Sequence, residues 1–315
     1  MSPPSAVPTL NRGGRVSVVI PTCARYDALQ NTVRDLLGQT EPPSRIIVVD
    51  TTAENDRRMP PGLVSVPGTE IVYIASTAFG KVNQARNEGL RQVTSEYVLL
   101  LDDDMQLPPD CLAEFLRAHA DGAEVVHGSL IESGTELESS HGGDRPIWNV
   151  LRHRHAAKRC HTIAVSSGFV SMRTDAIRSI GYLDEAFLYS YDDWDLGYRL
   201  WTAGYITIHE PRVFATHLKA LEGGARPLVN GRLGQLNKFT AKYYFLAKHF
   251  TRRAVRIEFL TDILLAFAEG KQHPFNLLNE CSLRWEAYRR FPTYAAVSTP
   301  VPVTEIPATA AQLKV

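Results

Sequence analysis

The stretch "EYVLLLDDDMQLPP", residues 96–109, decides the reading of this chain. Tyr97 to Leu101 form an unbroken apolar run, the pattern of a strand buried on both faces. Asp102, Asp103 and Asp104 then follow without a gap. Adjacent carboxylates repel one another and are costly to bury unpaired, so something positive must meet them. Side chains alternate along a strand, which predicts Asp102 and Asp104 on one side and Asp103 on the other. Two carboxylates converging at a strand end make a hard-oxygen site for Mg²⁺ or Mn²⁺. The plainer alternative is a solvated acidic turn that caps the next helix. The metal reading is preferred, because such a turn seldom needs three acids beside a buried strand.

Working outward, "RVSVVIPTC" gives a β-branched strand ending near Pro21, and residues 25–38 carry Leu29, Val33, Leu36 and Leu37 at helical spacing. "RIIVVD" (45–50) and "EIVYIA" (70–75) read as strands, and "KVNQARNEGLRQV" (81–93) as a helix. Residues 109–120 read as a helix opened by Pro109 in its first turn, and 123–131 as a strand. Apolar strands alternating with helices predict an α/β fold with a mainly parallel central sheet flanked by helices. Ligands of such sheets bind at the carboxyl ends of the strands. That edge holds Pro21–Thr22, Asp50–Thr51 and the aspartate triplet.

Residues 132–162 break the pattern, with Gly134, Gly142, Gly143 and the basic group "RHRHAAKRCH". "TIAVSSGFVSMR" reads as strand–turn–strand, "DAIRSIGYLDEAF" as a short helix and loop, and residues 191–205 as a helix ending at Gly204. The stretch from Leu236 to Gly270 reads as one or two helices mixing Lys and Arg with Phe and Tyr, and a further helix covers 278–291. Residues 1–14 are expected to be a loose arm and 298–315 a Pro/Thr/Ala-rich tail.

The 34 Lys and Arg balance the 34 Asp and Glu, so no global basic field invites nucleic acid. Cys23, Cys111, Cys160 and Cys281 lie far apart without metal-site spacing, which argues against zinc and fits a reducing cytosol. The N-terminus lacks the pattern of a secretory signal, and no stretch approaches the ~20 apolar residues that cross a bilayer. The expected location is therefore the cytoplasm, with a peripheral place on a membrane surface as the other option.

A second acidic cluster lies in "YDDWDLGYRL". Asp192 and Asp193 fall in a first helical turn, where the macrodipole favours negative charge. Asp195 and Arg199, four apart, are expected to pair on the helix surface. Capping explains one acid there but not two more, and a carboxylate held at a helix start suits a general base. Lys81 and Arg86 stand where a helix enters the sheet, able to reach phosphate or to lie in solvent. His217 follows a strand, and a lone histidine is more often structural. The aromatic and basic stretch 238–256 reads as an amphipathic packing or dimer surface rather than a membrane anchor.

In order, "VVIPTCARYDAL", "IIVVDTT", "QARNEGL", "LLLDDD", "SSGFVSMRTDAIRSIGYLDEAF" and "YDDWDLGYRLWTAGY" make the chain resemble a family 2 glycosyltransferase with the GT-A fold, over residue 16 to about 220. The resemblance implies inverting transfer of a hexose-type sugar from a nucleotide-diphosphate donor, most often UDP-linked, aided by Mn²⁺ or Mg²⁺. It implies that Pro21, Thr22 and Arg25 line the nucleotide pocket, that Asp50 holds the base and that Arg86 lies near the base or phosphates. Asp102 and Asp104 match the metal and ribose carboxylates, Asp104 being the direct ligand, with Asp103 beside them on the nucleotide side. Ser167 and Gly168 match the segment beneath donor sugar and acceptor. Asp193 matches the catalytic base, with Asp192 in place of the usual glutamate. His217 matches a histidine that in some members completes the metal shell. Tyr191 stands where a glycine is usual, and Trp194 adds bulk on the substrate side of the base.

The resemblance divides the chain into a GT-A unit, residues 15–220, and a helical extension, 221–297. Within the unit, 15–131 would bind nucleotide and 132–220 would carry catalysis and acceptor. Three acceptors stay open: a glycan, a lipid-linked intermediate or a small natural product. A homodimer through the C-terminal helices is a further expectation. An Asp-nucleophile phosphatase is the rival enzyme, but its aspartate belongs on a first strand, followed by a Gly-Thr-like turn. A sugar nucleotidyltransferase would want a Gly-rich loop that "PTCARYDAL" lacks. A non-catalytic nucleotide-sugar-binding module is the rival from another class.

Overall fold

The structure, a computed structural model, describes residues 15–58, 60, 62–132, 159–163, 165–188, 190–220, 224, 231–270 and 274–297. The expected arm (1–14), the tail (298–315) and most of the Gly- and His-rich insertion lie outside the described residues. Among the described residues nine strands form one sheet: β1 (Val16–Thr22), β2 (Arg45–Asp50), β3 (Glu70–Ala75), β4 (Tyr97–Leu101), β5 (Met105–Gln106), β6 (Val125–Glu132), β7 (Cys160–His161), β8 (Phe169–Arg173) and β9 (Thr207–His217). Their order is β3-β2-β1-β4-β8-β6-β9-β5, with β7 also on β9.

The first half of the sheet is parallel, β3 on β2, β2 on β1 and β1 on β4. Beyond β4 the pairing is mixed: β8 runs antiparallel to β4 and β6, β9 is parallel to β6, and β5 and β7 are antiparallel to β9. The mainly parallel expectation thus describes the half of the sheet from β3 to β4, where helices over 26–37 and 82–90 link β1 to β2 and β3 to β4. The second half uses return strands, which sequence runs of this length do not distinguish.

Helices cover both faces. Val18, Ile20, Ile46, Val48, Leu99 and Leu101 point toward α1 (Tyr26–Leu37) and α3 (Cys111–Ala120), meeting Leu29, Val33, Leu36 and Phe115. The alternate residues Val19, Ile47, Val49, Val98 and Leu100 face α2 (Val82–Leu90), α4 (Thr174–Ser179) and α5 (Asp192–Thr202). This period-two division is why the central strands read as continuous apolar runs. Helix α2 sits directly on β1: a Cβ added at Gly89 would stand 2.5 Å from Val19 Cγ1.

Two expected boundaries move. Helix α3 begins at Cys111, so Pro109 precedes the helix rather than opening it. Among the described residues of the expected strand–turn–strand over 162–173, only β8 is a strand. Among the described residues three helices follow the sheet: α6 (Gly231–His249), α7 (Arg252–Gly270) and α8 (Pro274–Val297). Helix α6 packs Ala241, Tyr244 and Phe245 against Phe187 and the flank of α5, while Tyr243, Val255, Leu283 and Ala287 join the three helices to each other.

Candidate active site

The aspartate triplet does not continue the strand. Pairing of β4 ends at Leu101, and the chain turns through Asp103 and Asp104 before β5. The strand alternation expected for the triplet therefore fails. Asp103 and Asp104 share one arginine, with Arg25 Nη1 at 3.2 Å from Asp103 and 3.1 Å from Asp104. Asp102 turns the other way, accepting from Arg86 Nη2 at 2.8 Å. The positive groups that the triplet demands are thus two arginines, one from each side.

Asp103 is the structural member. Thr22 Oγ1 donates to it at 2.7 Å, Thr32 Oγ1 donates to its carbonyl at 2.9 Å, and its side chain is buried. Burial raises its pKa to about 7, against the lowering effect of Arg25 and Thr22. Asp104 faces His217, Nε2 to Oδ1 at 3.1 Å, and accepts from the Ala220 amide at 3.0 Å. Burial works to raise the Asp104 pKa, but His217, Arg25 and that amide together hold it below the usual carboxylate range. The hydrogen bond to Asp104 in turn raises the His217 pKa. His217 reaches this place because β5 pairs with β9, Met105 opposite His217.

The donor set here suits a divalent metal. Asp104 and His217 present a carboxylate oxygen and an imidazole nitrogen to one another, ligands that Mn²⁺ accepts. Among the described residues, no third acid, histidine or cysteine joins them in a preformed metal cluster. The pair still fits a cation that completes its shell with diphosphate and water, the usual arrangement for an ion carried with a nucleotide. Asp102 is drawn aside by Arg86, so its direct ligation, expected from alternation, is not what the geometry favours.

The second acidic cluster meets the first through Arg86 and Ser167. Helix α5 begins at Asp192, placing Asp192 and Asp193 in its first turn as expected. Asp193 Oδ1 accepts from the Ser167 amide and from Ser167 Oγ, both at 2.7 Å. Ser167 Oγ accepts from Arg86 Nη1 at 2.8 Å, and the same nitrogen lies 3.5 Å from Asp192. Arg86 thus spans from Asp102 to the helix of Asp193. It is buried among carboxylates and not extended toward solvent as a phosphate hook. Burial and the neighbouring charge of Asp193 raise the Asp192 pKa to about 6, with Arg86 opposing.

Gly168 is required where it stands. A Cβ there would lie 2.3 Å from Asp102 Oδ2. Gly168→Ala is therefore expected to push Asp102 off Arg86 at a cost of about 1–3 kcal/mol. Urea unfolding would measure that loss, and weaker donor binding should accompany it. An unchanged donor affinity would separate Asp102 from the donor.

Other expected residues occupy less direct positions. Pro21 is buried in β1 opposite Val49, and Thr22 is spent on Asp103. Asp50 is fully buried, with Tyr26 and Tyr73 hydroxyls donating at 2.9 and 2.5 Å and the Thr52 amide at 2.8 Å. It would have to exchange a tyrosine to hold a base. Trp194 packs toward α6 beside Tyr191 and Phe245 instead of lying open above the base. Tyr191 is left-handed, φ 62°, as is Ser190, φ 66°. The position where the resembling family has glycine thus keeps the glycine backbone in this chain, at a strain of about 1–2 kcal/mol.

Sequence patterns place Asp195 wrongly and miss Lys248 and His249. Asp195, expected on the surface, is buried. It accepts from Arg199 Nε at 2.7 Å, Lys248 Nζ at 2.7 Å and His249 Nε2 at 2.6 Å. Burial works against the charge, yet these three partners hold its pKa well below the usual range. Lys248 and His249 close α6, and Lys248 also reaches Asp184 at 2.6 Å. The only sequence signal for them is the basic character of that helix end.

Comparison with known proteins follows the same outline. The profile of glycosyl transferase family 2 matches residues 17–181. A Campylobacter jejuni GalNAc(5)-diNAcBac-PP-undecaprenol beta-1,3-glucosyltransferase is 27% identical over 131 residues, 41% of this chain and 42% of that protein. A Serratia proteamaculans undecaprenyl-phosphate 4-deoxy-4-formamido-L-arabinose transferase is 27% identical over 116 residues, 36% of each chain. The chain therefore spans less than half the length of these relatives. Among solved structures, the Pyrobaculum calidifontis mannosyltransferase PcManGT, in complex with GDP-Man and Mn²⁺, superposes with a TM-score of 0.54 at 19% identity, over 96% of this chain and 81% of that one. GalNAc-T7 with UDP, GalNAc and Mn²⁺ gives 0.58 at 13% identity, over 92% and 57%. The fold is GT-A.

Proposed function

The chain belongs to glycosyltransferase family 2, and we propose that it transfers a sugar from a UDP-linked donor to an acceptor hydroxyl with inversion. One observation carries this reading. The carboxylate at the start of α5 is fixed by Ser167, and Ser167 is tied through Arg86 to Asp102 at the end of β4. A base and a donor-side acid thus share one rigid network, as a single displacement requires.

In the proposed reaction Asp193 accepts the proton of the acceptor hydroxyl as that oxygen bonds to the anomeric carbon and the bond to the diphosphate breaks. Ser167, donating twice to Oδ1, orients the carboxylate. Arg86 holds Asp102 and Asp192 in place and balances their charge. Asp104 and His217 would hold the divalent ion, which when bound supplies positive charge against the leaving diphosphate. Arg25 adds a second positive charge beside it. A direct displacement needs no protein nucleophile, so Asp102 serves the donor only.

Residues 15–131 are proposed as the nucleotide half, 132–220 as the catalytic and acceptor half, and 221–297 as an extension bracing α5. Relatives named for undecaprenyl-linked substrates support a lipid-linked glycan acceptor. Thermal shift with UDP-, GDP- and dTDP-sugars, each with and without Mn²⁺, tests the donor. A UDP-sugar at a hundredfold excess over its Kd should stabilise the chain by about 2.7 kcal/mol, and only with the metal present. A shift by GDP-sugars alone would move the donor class, and no shift with any of them would remove the reading.

A further inference from the structure

Helix α7 has apolar residues on both sides, but only one side is covered. Val255, Asp262 and Ala266 face α6 and α8 and are buried. On the opposite face Arg253, Arg256, Ile257, Leu260, Leu264 and Phe267 fall within an arc of about 100°, at 3.6 residues per turn. All six are exposed, Leu260 at 59% and Leu264 at 69%. A stripe of that kind marks an interaction surface.

The charges on α7 are sorted in the same way. Glu258 and Asp262 turn inward onto Lys242, at 3.0 and 2.6 Å. Arg252, Arg253 and Arg256 turn outward and are exposed. On the adjoining helix Trp285, 6.0 Å from Phe259 between ring centres, is exposed, as is Arg289. No described helix is long and apolar enough to cross a membrane. An apolar stripe with arginines at one end and an exposed indole beside it is the pattern of a helix lying in a lipid interface.

We propose that the outer face of α7 docks on an anionic lipid bilayer, with Ile257, Leu260, Leu264 and Phe267 entering the interface and Arg252, Arg253 and Arg256 meeting headgroup phosphates. The charge pattern selects this occupant over a second copy, whose own α7 would bring the same three arginines against these. The surface is separate from the acid network and does not depend on the transfer reaction.

Flotation of the full chain with vesicles tests it, using phosphatidylcholine alone or mixed with phosphatidylglycerol. Binding is expected to the mixed vesicles and to fall with added salt. Replacing Arg252, Arg253 and Arg256 together by Ala should weaken it on the order of 100-fold. Leu260→Ser with Leu264→Ser should weaken it roughly tenfold or more, with an unchanged circular dichroism spectrum because both side chains are exposed. Failure to float with either vesicle, or binding that survives both sets of changes, overturns the proposal. So does a dimer seen by light scattering that the leucine pair dissociates while the unaltered chain ignores lipid. None of these failures would touch transfer to a water-soluble acceptor.

Discussion

Asp193→Asn is expected to lower kcat by about 10²–10⁴-fold while leaving donor affinity unchanged. The asparagine amide oxygen can accept both Ser167 donations that Asp193 Oδ1 now accepts at 2.7 Å. The start of α5 should therefore keep its geometry, and the variant should unfold at nearly the parent temperature. What is lost is the ability to take a proton. In barrier terms the change is about 3–5 kcal/mol, felt only after both substrates are bound. Steady-state kinetics together with donor titration separates the two quantities. Parallel loss of turnover and of donor binding would make Asp193 a structural residue and would leave the reaction without its base.

Asp195→Asn is the second large effect, and it falls on stability. The substitution removes the negative charge shared by Arg199, Lys248 and His249, leaving Lys248 with Asp184 alone. Leaving the largely buried Arg199 without its counter-charge costs about 3–5 kcal/mol, measurable by urea unfolding. Two of the three partners of Asp195 belong to α6, so the loss should appear as loosening of the C-terminal helices from α5. Activity should fall in step with that loosening, because α5 also carries Asp193. Loss of stability with full turnover would show that α5 keeps its place without the brace.

The same pair of helices sets a pH dependence. The folded-state pKa of Asp195 lies below its unfolded value of about 3.9. Its contribution is therefore complete above that value and is lost as pH falls below it. Asp195→Asn should accordingly flatten the acid limb of a stability profile below about pH 4.

Much of the site is legible in the amino-acid sequence. The strands 45–50, 70–75 and 97–101 have the bounds expected from their residues, and 45–50 and 97–101, covered on both faces, are apolar runs that stop where the charge begins. That rule also places the triplet at the carboxyl edge of the sheet, and helical spacing places Asp192 and Asp193 at a helix start. The ordered motifs point to the family that the profile match identifies.

The partners of each charge are decided elsewhere. Whether Asp103 or Asp102 lies beside Asp104 depends on a turn after Leu101 that a strand rule does not anticipate. Arg25 lies 78 residues from Asp103 in the chain, and Lys248 lies 53 from Asp195. His217 meets Asp104 only because two residues of β5 pair with the end of β9. Sequence patterns report the local balance of burial and backbone preference, which fixes the elements and their polar ends. Charge pairing acts through space, and in a fold whose neighbours lie far apart along the chain only the assembled sheet determines which cation answers which acid.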